Sequence, residues 1–217
     1  MKSPLLFLAA LVAGINYMWS WALPIPDAAA IAWKGAGVGL LASWASRQGT
    51  TLDHKLLAIV LTLGATADMV LEINFLAGAS IFALGHVVAV AMYVRNRRAG
   101  TGVRDASLGA LFIAGNMALA FHLASVDWAA PVAIYTLFLA AMAATALASR
   151  FPLAAAGALL FLVSDHIIFA RMDSLSGSRW ADFAIWATYF GGQALIAWGV
   201  ASGLAGTTKL DSRASRH

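Results

Sequence analysis

Apolar residues run through this chain in long stretches, separated by short clusters that hold most of its charges. The stretches are about 18–22 residues long, and a helix of about 20 residues crosses a hydrocarbon core of about 30 Å. They predict helices near 4–23, 28–45, 55–72, 75–94, 107–124, 128–148, 152–170 and 182–203. The expected fold is an all-α integral membrane protein with eight transmembrane helices. It forms a single domain over residues 1–217, ending in a short polar cytoplasmic tail at 204–217. Pro4, Pro24, Pro26, Pro131 and Pro152 fall at or near span ends, where a missing N–H is tolerated. Trp19, Trp21, Trp44, Trp128 and Trp180 also lie near predicted ends, as an aromatic belt requires.

Composition sharpens this picture. The chain is 61% hydrophobic and 11% charged, whereas a soluble domain carries roughly 25% charged residues. With no cysteine, the sequence excludes disulfides, a thiol nucleophile and a Cys-ligated zinc site. The net charge of +4 needs no nucleic-acid partner, because the basic residues are explained by topology. Lys2, Arg47, Lys55, Arg95, Arg97, Arg98, Arg104, Arg150, Lys209, Arg213 and Arg216 fall on one side, against Arg171 and Arg179 on the other. That asymmetry predicts both termini in the cytoplasm, and a bacterial inner membrane is the expected location. The first span follows Lys2 as a signal peptide would, but its length and its Asn16 and Tyr17 favour a retained helix. Asp68 and Asp165 each lie 13 residues past a predicted span start, and His86 and Gln193 each lie 11 past theirs. A 4+4 parallel internal repeat gives such offsets; so does coincidence in an apolar sequence.

An ionisable group at mid-bilayer costs at least about 2.5–3.5 kcal/mol, so each one that persists points to function. Lys34, Asp68, His86 and Asp165 lie inside predicted spans, with Glu72 and His122 nearer an interface. At 1.5 Å per residue, both aspartates lie about 20 Å from the cytoplasmic side and Lys34 about 9 Å from the outer side. Two carboxyls and an ammonium at one level are expected to share a proton, one carboxyl acting as acid and the other as base. The alternative is that Lys34 pairs with one aspartate simply to hold helices together. His86 is either a proton relay or a neutral imidazole bonded to a neighbouring helix. Asn16, Tyr17, Asn116, Tyr135, Tyr189 and Gln193 are expected to bond between helices, some of them lining a cavity.

Other chemistry is excluded by spacing. Ser164-Asp165-His166 has triad residue types, but neighbours on a helix point about 100° apart. No G-x-S-x-G elbow or H-E-x-x-H motif is present. Asp68 and Glu72 share a helix face, yet a capping role for Glu72 is the stronger reading than metal ligation, and neither metal nor cofactor is expected. Gly35-Ala36-Gly37-Val38-Gly39 and Gly191-Gly192 offer small surfaces for helix contact, not phosphate loops.

Four stretches then acquire a family. Lys34 is the first; Leu63-Gly64-Ala65-Thr66-Ala67-Asp68-Met69-Val70-Leu71, followed by Phe75, Gly78, Phe82 and His86, is the second. Gly157 to Asp165 and Thr188-Tyr189-Phe190-Gly191-Gly192-Gln193-Ala194-Leu195-Ile196 complete the set. In order and spacing these resemble the YhhN-like lysoplasmalogenase family of eight-span membrane hydrolases, over about residues 34–196. Ala67 stands where the family has glycine before its first aspartate, and residues between Arg95 and Phe151 carry little signature.

The resemblance implies hydrolysis of the vinyl ether bond of a lysoplasmalogen, releasing a fatty aldehyde and a glycerophospho-base. A vinyl ether needs a protonated acid and a carboxylate that activates water and stabilises an oxocarbenium ion, with no nucleophile. Asp68 and Asp165 are the catalytic candidates on that reading. Lys34, His86, Tyr189, Gln193 and Asn16 are candidates for binding substrate or tuning the pair. The expected partners are a vinyl-ether lysophospholipid and membrane lipids, and the site is expected to open toward the outer leaflet. A proton-coupled lipid or small-molecule transporter using the same aspartates is the competing reading.

Overall fold

A computed structural model describes residues 1–214, with side chains described through residue 206. The described chain is all helical: α1 (Pro4–Asn16), a 3-10 turn (Tyr17–Trp21), α2 (Asp27–Ser46), α3 (Leu52–Leu71), α4 (Phe75–Arg95), α5 (Val103–Leu123), α6 (Ala129–Ala148), α7 (Pro152–Arg171) and α8 (Arg179–Ala214). Seven of the eight predicted apolar runs fall on one helix each, extending at most one residue beyond it, and the first, 4–23, covers α1 and the 3-10 turn. Among the described residues, six segments are long and apolar enough to cross a membrane: Pro4–Trp21, α3, α4, α5, α6 and α7. The other two long helices are more polar along their length. Lys34 and three glycines dilute α2, while Tyr189, Gln193 and several glycines dilute α8. The helix α8 continues to Ala214, through most of the stretch read as a polar tail. No proline interrupts it there. Residues 215–217 of that tail lie outside the described residues.

Helix ends follow local chemistry. Pro4 and Pro152 occupy first-turn positions, and Asn74 caps α4 by accepting the Ala77 N–H at 3.0 Å. The first span departs from a uniform α-helix. Gly14 O accepts the Trp186 indole N–H at 2.7 Å and Ala13 O accepts that of Trp33 at 3.2 Å. With these carbonyls drawn to side chains, the chain tightens into the 3-10 turn, which buries Tyr17 and leaves Asn16 exposed.

Two glycine seams bring helices close enough to build the core. A Cβ on Gly157 would lie 2.5 Å from Gly192 O, and one on Gly192 would lie 2.7 Å from Gly157 O. The backbones of α7 and α8 therefore touch. Gly37 meets Gly14 in the same way, since a Cβ there would lie 2.8 Å from Gly14 Cα. The α8 helix packs on α1, α2 and α3 as well as on α7, and α4 packs on α6, so the two halves of the chain interlock. Outer faces carry exposed Leu108, Leu111, Leu119, Phe121 and Ile134, as a surface facing lipid would.

Candidate functional site

The chain alternates direction through the bundle, so the C-terminal ends of α3 and α7 meet the N-terminal ends of α2, α4 and α8. At that end a cavity of about 440 Å³ opens between the halves. Lys34, Asp68, Glu72, Asp165, Arg171 and Asp182 all line it, with Tyr17, Trp186, Phe82 and Phe161 among its aromatic walls.

The charges form two tiers. At the mouth, Lys34 pairs with Glu72 and Arg171 pairs with Asp182. Deeper lie the aspartates, Asp68 with 2% of its surface exposed and Asp165 with 5%. Asp68 sits one turn below Glu72 on the same face of α3, and Asp165 lies six residues before Arg171 on α7. They are therefore staggered, because α3 starts at Leu52 and not at residue 55: Asp68 is nearer the end of its helix than Asp165.

Each carboxyl receives a tyrosine hydroxyl. Tyr189 donates to Asp68 Oδ2 at 2.7 Å, and Tyr135 donates to Asp165 Oδ2 at 2.7 Å. Each tyrosine oxygen is in turn met by a nitrogen. Gln193 Nε2 donates to Tyr189 at 3.3 Å, and His86 Nε2 lies 3.1 Å from Tyr135. With the Tyr135 hydrogen committed to Asp165, the imidazole supplies the proton of that contact. Two hydrogen-bonded chains thus converge on the cavity, Gln193–Tyr189–Asp68 and His86–Tyr135–Asp165. Phe161 packs between them, with its ring centroid 5.0 Å from that of Tyr189 and 5.1 Å from that of His86. These partners fix the orientation of both carboxyls in a largely apolar wall, the arrangement acid–base chemistry requires.

The sequence candidates divide accordingly. Lys34, Asp68, Asp165 and Tyr189 line the cavity, while His86 and Gln193 stand one hydrogen bond behind it. Asn16 is a correction: it is exposed at the end of α1, turned away because Gly14 and Tyr17 occupy the buried face. Lys34 bonds Glu72 and neither aspartate. Glu72, expected nearer an interface, and Arg171, expected as a topology charge, lie in the cavity wall, and Asp182 joins them there as the partner of Arg171. The i,i+4 spacing of Asp68 and Glu72 is the signal that places Glu72 there. Tyr135 was read only as an interhelical hydrogen bonder, and it holds one of the two central carboxyls. Ser164, Asp165 and His166 point three ways: Ser164 donates to Ile185 O at 3.1 Å, and the His166 ring contacts Leu162 O at 2.7 Å and Asn116 O at 3.4 Å. Among the described residues, no group of three or more His, Asp or Glu comes together as a metal site.

A helical bundle of membrane type, with a buried carboxyl pair facing a polar cavity at one end, is the class these features define. The model of the YhhN family matches residues 29–200, and the chain belongs to that family. No curated protein and no solved structure matches the chain.

Proposed function

We propose that this protein is a lysoplasmalogenase-like hydrolase, cleaving the vinyl ether of a lysoplasmalogen to a fatty aldehyde and a glycerophospho-base. The carrying observation is the pair Asp68 and Asp165, each held by a tyrosine hydroxyl, on the wall of one cavity. Family membership supports a hydrolase.

The reaction runs in balanced steps. A carboxylic acid gives its proton to the β-carbon of the vinyl ether, and the α-carbon becomes an oxocarbenium ion. The partner carboxylate takes a proton from water as the water oxygen bonds to the α-carbon, forming a hemiacetal. In the collapse of the hemiacetal the partner carboxyl returns its proton to the departing glycerol oxygen as the carbon–oxygen bond breaks, and the hemiacetal hydroxyl gives its proton to the first carboxylate, leaving the aldehyde and restoring both carboxyls. No covalent enzyme intermediate forms, so the pair needs positions and protons but no nucleophile. Phe82 and Phe161 share the cavity wall with both carboxyls, and aromatic rings there favour a cationic intermediate. In this reading all eight helices span the membrane, both termini are cytoplasmic, and the cavity faces the outer leaflet, where the vinyl ether of a lysolipid lies just beneath its headgroup.

The test incubates purified protein in detergent with a lysoplasmalogen and with its saturated ether analogue, measuring free aldehyde. Aldehyde from the vinyl ether alone, lost in Asp68→Asn and in Asp165→Asn, is the expected result. Folded protein that releases no aldehyde, but moves lipid with protons in vesicles, would replace the hydrolase by a transporter.

A further inference from the structure

Beside Asp165 the polar cavity has a neighbour. A smaller space of about 60 Å³ adjoins it, sharing Leu71, Phe75, Phe82, Asp165 and Ile168 with the cavity wall and adding Tyr135 and Pro131. It adjoins in turn a groove of about 520 Å³ on the outside of the bundle, with which it shares Leu76, Ala79, Pro131 and Tyr135. The groove is walled only by α4 and α6. Leu76, Ala79, Ser80 and Ala83 follow the i, i+3, i+4, i+7 pattern along α4, and Ile134 and Phe138 stand across from them on α6. Its lining holds no charged side chain, and the Ser80 hydroxyl is satisfied within its own helix by Leu76 O at 2.8 Å.

We propose that this groove binds the single hydrocarbon chain of the lysolipid, which enters sideways between α4 and α6 while its headgroup occupies the ionic mouth. The proposal rests on the hydrolase reading for the identity of the lipid. Its physical basis is the order of surfaces along three adjoining spaces: two ion pairs, two carboxyls, a small neck, then an apolar trough. An amphiphile with a charged head and one alkyl tail has the same order of polarity. Burying each methylene of the tail in such a trough leaves it in surroundings like those of the bilayer, so entry from the membrane exposes no apolar surface to water. Threaded this way, the vinyl ether falls at the neck. Asp165 then faces the β-carbon as the acid, and Asp68, nearer the mouth, faces the water that attacks the α-carbon.

The groove is tested with and without turnover. A saturated lysoether carrying a diazirine at the tail terminus is photolysed with wild-type protein, and the labelled peptides are mapped. Label within residues 76–83 or 130–138 is expected; label confined to other helices overturns the groove, whether or not the protein hydrolyses anything. Ala83→Trp fills the trough, and Ile134→Trp does so from an exposed position that does not disturb the core. Both are expected to lower kcat/KM for a long-chain lysoplasmalogen at least tenfold, while a glycerophospho-base with a two-carbon vinyl ether is cleaved at the wild-type rate. Retained short-chain turnover shows that the variants fold. Equal loss, or no loss, on both substrates by Ile134→Trp overturns the groove while leaving the hydrolase intact. Wild-type protein that cleaves neither substrate, yet takes the label between α4 and α6, overturns the hydrolase while leaving the groove intact.

Discussion

The two ends of the bundle hold polar groups in different ways. Opposite the cavity, Arg150 forks onto Asn96 Oδ1 through Nε at 3.0 Å and Nη2 at 2.8 Å, and its N–H donates to Asn96 O at 2.9 Å. Arg98 donates to Leu147 O at 2.8 Å and, from its backbone, to Ala148 O at 3.0 Å. These bonds stitch the α4–α5 connection to the α6–α7 turn, and Arg95 bonds Asp53 at 3.0 Å beside them. Charge there meets backbone, amide and carboxylate groups directly, and the space of about 230 Å³ beside Arg98, Leu147 and Ala148 has no buried carboxyl in its wall. At the cavity end the same kinds of side chain stand around an opening, and the two deepest carboxyls each have a tyrosine as partner and no cation. Closing polar groups on one another stabilises a bundle, whereas holding carboxyls apart around a space sacrifices some stability for reactivity.

The strongest way to break this contrast is to neutralise one end without unfolding it. Asp165→Asn keeps the shape and an acceptor for Tyr135 but cannot give up a proton. Aldehyde release is expected to fall about 100- to 10,000-fold, the range for a lost general acid or base. Thermal unfolding in detergent is expected to stay within a few degrees of wild type. A comparable fall in unfolding temperature would mean that Asp165 serves structure, and the two ends would then be alike.

The seam between α7 and α8 carries both ends and sharpens the comparison next. Gly192→Leu drives a side chain into Gly157 O and the α7 backbone, while Gly191 has nothing within 4 Å of where its Cβ would be. Gly192→Leu is expected to destabilise the protein by about 3 kcal/mol, the upper part of the overpacking range, and Gly191→Leu by a few tenths. Denaturation in mixed micelles distinguishes the two. Equal effects would mean that α8 is not registered on α7 as described.

Much of this was legible in the sequence, and the residues that were not share one physical cause. Asp68 and Asp165 stand out because a charge in an apolar run is costly and has few structural excuses. The helices stand out because their length and apolarity are local properties. Tyr135 did not stand out as a member of the site, since nothing along the chain distinguishes it from Tyr93. Its role depends on α6 lying against α7, which no periodicity encodes. The Lys34–Glu72 pair was hidden for the same reason, joining residues 38 positions apart. Asn16 was misassigned because two indoles on α2 and α8 take carbonyls of α1 and turn the chain where the pattern continues.

At the stitched end, Arg150→Ala removes the fork onto Asn96 and the packing of the guanidinium over Phe151, 5.0 Å from its ring centroid. Loss of a hydrogen-bonded charge leaves the buried Asn96 carbonyl short of partners, and the expected destabilisation is about 1–2 kcal/mol. Turnover per folded molecule is expected to equal that of wild type, since nothing at this end touches the cavity. A change in kcat would show that the ends are coupled through α4 or α7.

The smallest expected effect lies at the mouth, where the comparison is least sharp because Lys34 and Glu72 form an ion pair there too. The Glu72 side chain is 42% exposed, so the pair adds little to stability, and Glu72→Gln is expected to change it by less than about 1 kcal/mol. What the substitution does change is the freedom of Lys34. Released from Glu72, the ammonium is available to a lysolipid phosphate in the mouth, and KM is expected to fall about three- to fivefold with kcat unchanged, an effect that weakens as salt rises. Lys34→Met is expected to raise KM instead. If both substitutions move kcat and leave KM alone, the lysine acts on the carboxyls below it and not on the headgroup, and the mouth belongs functionally to the tier beneath.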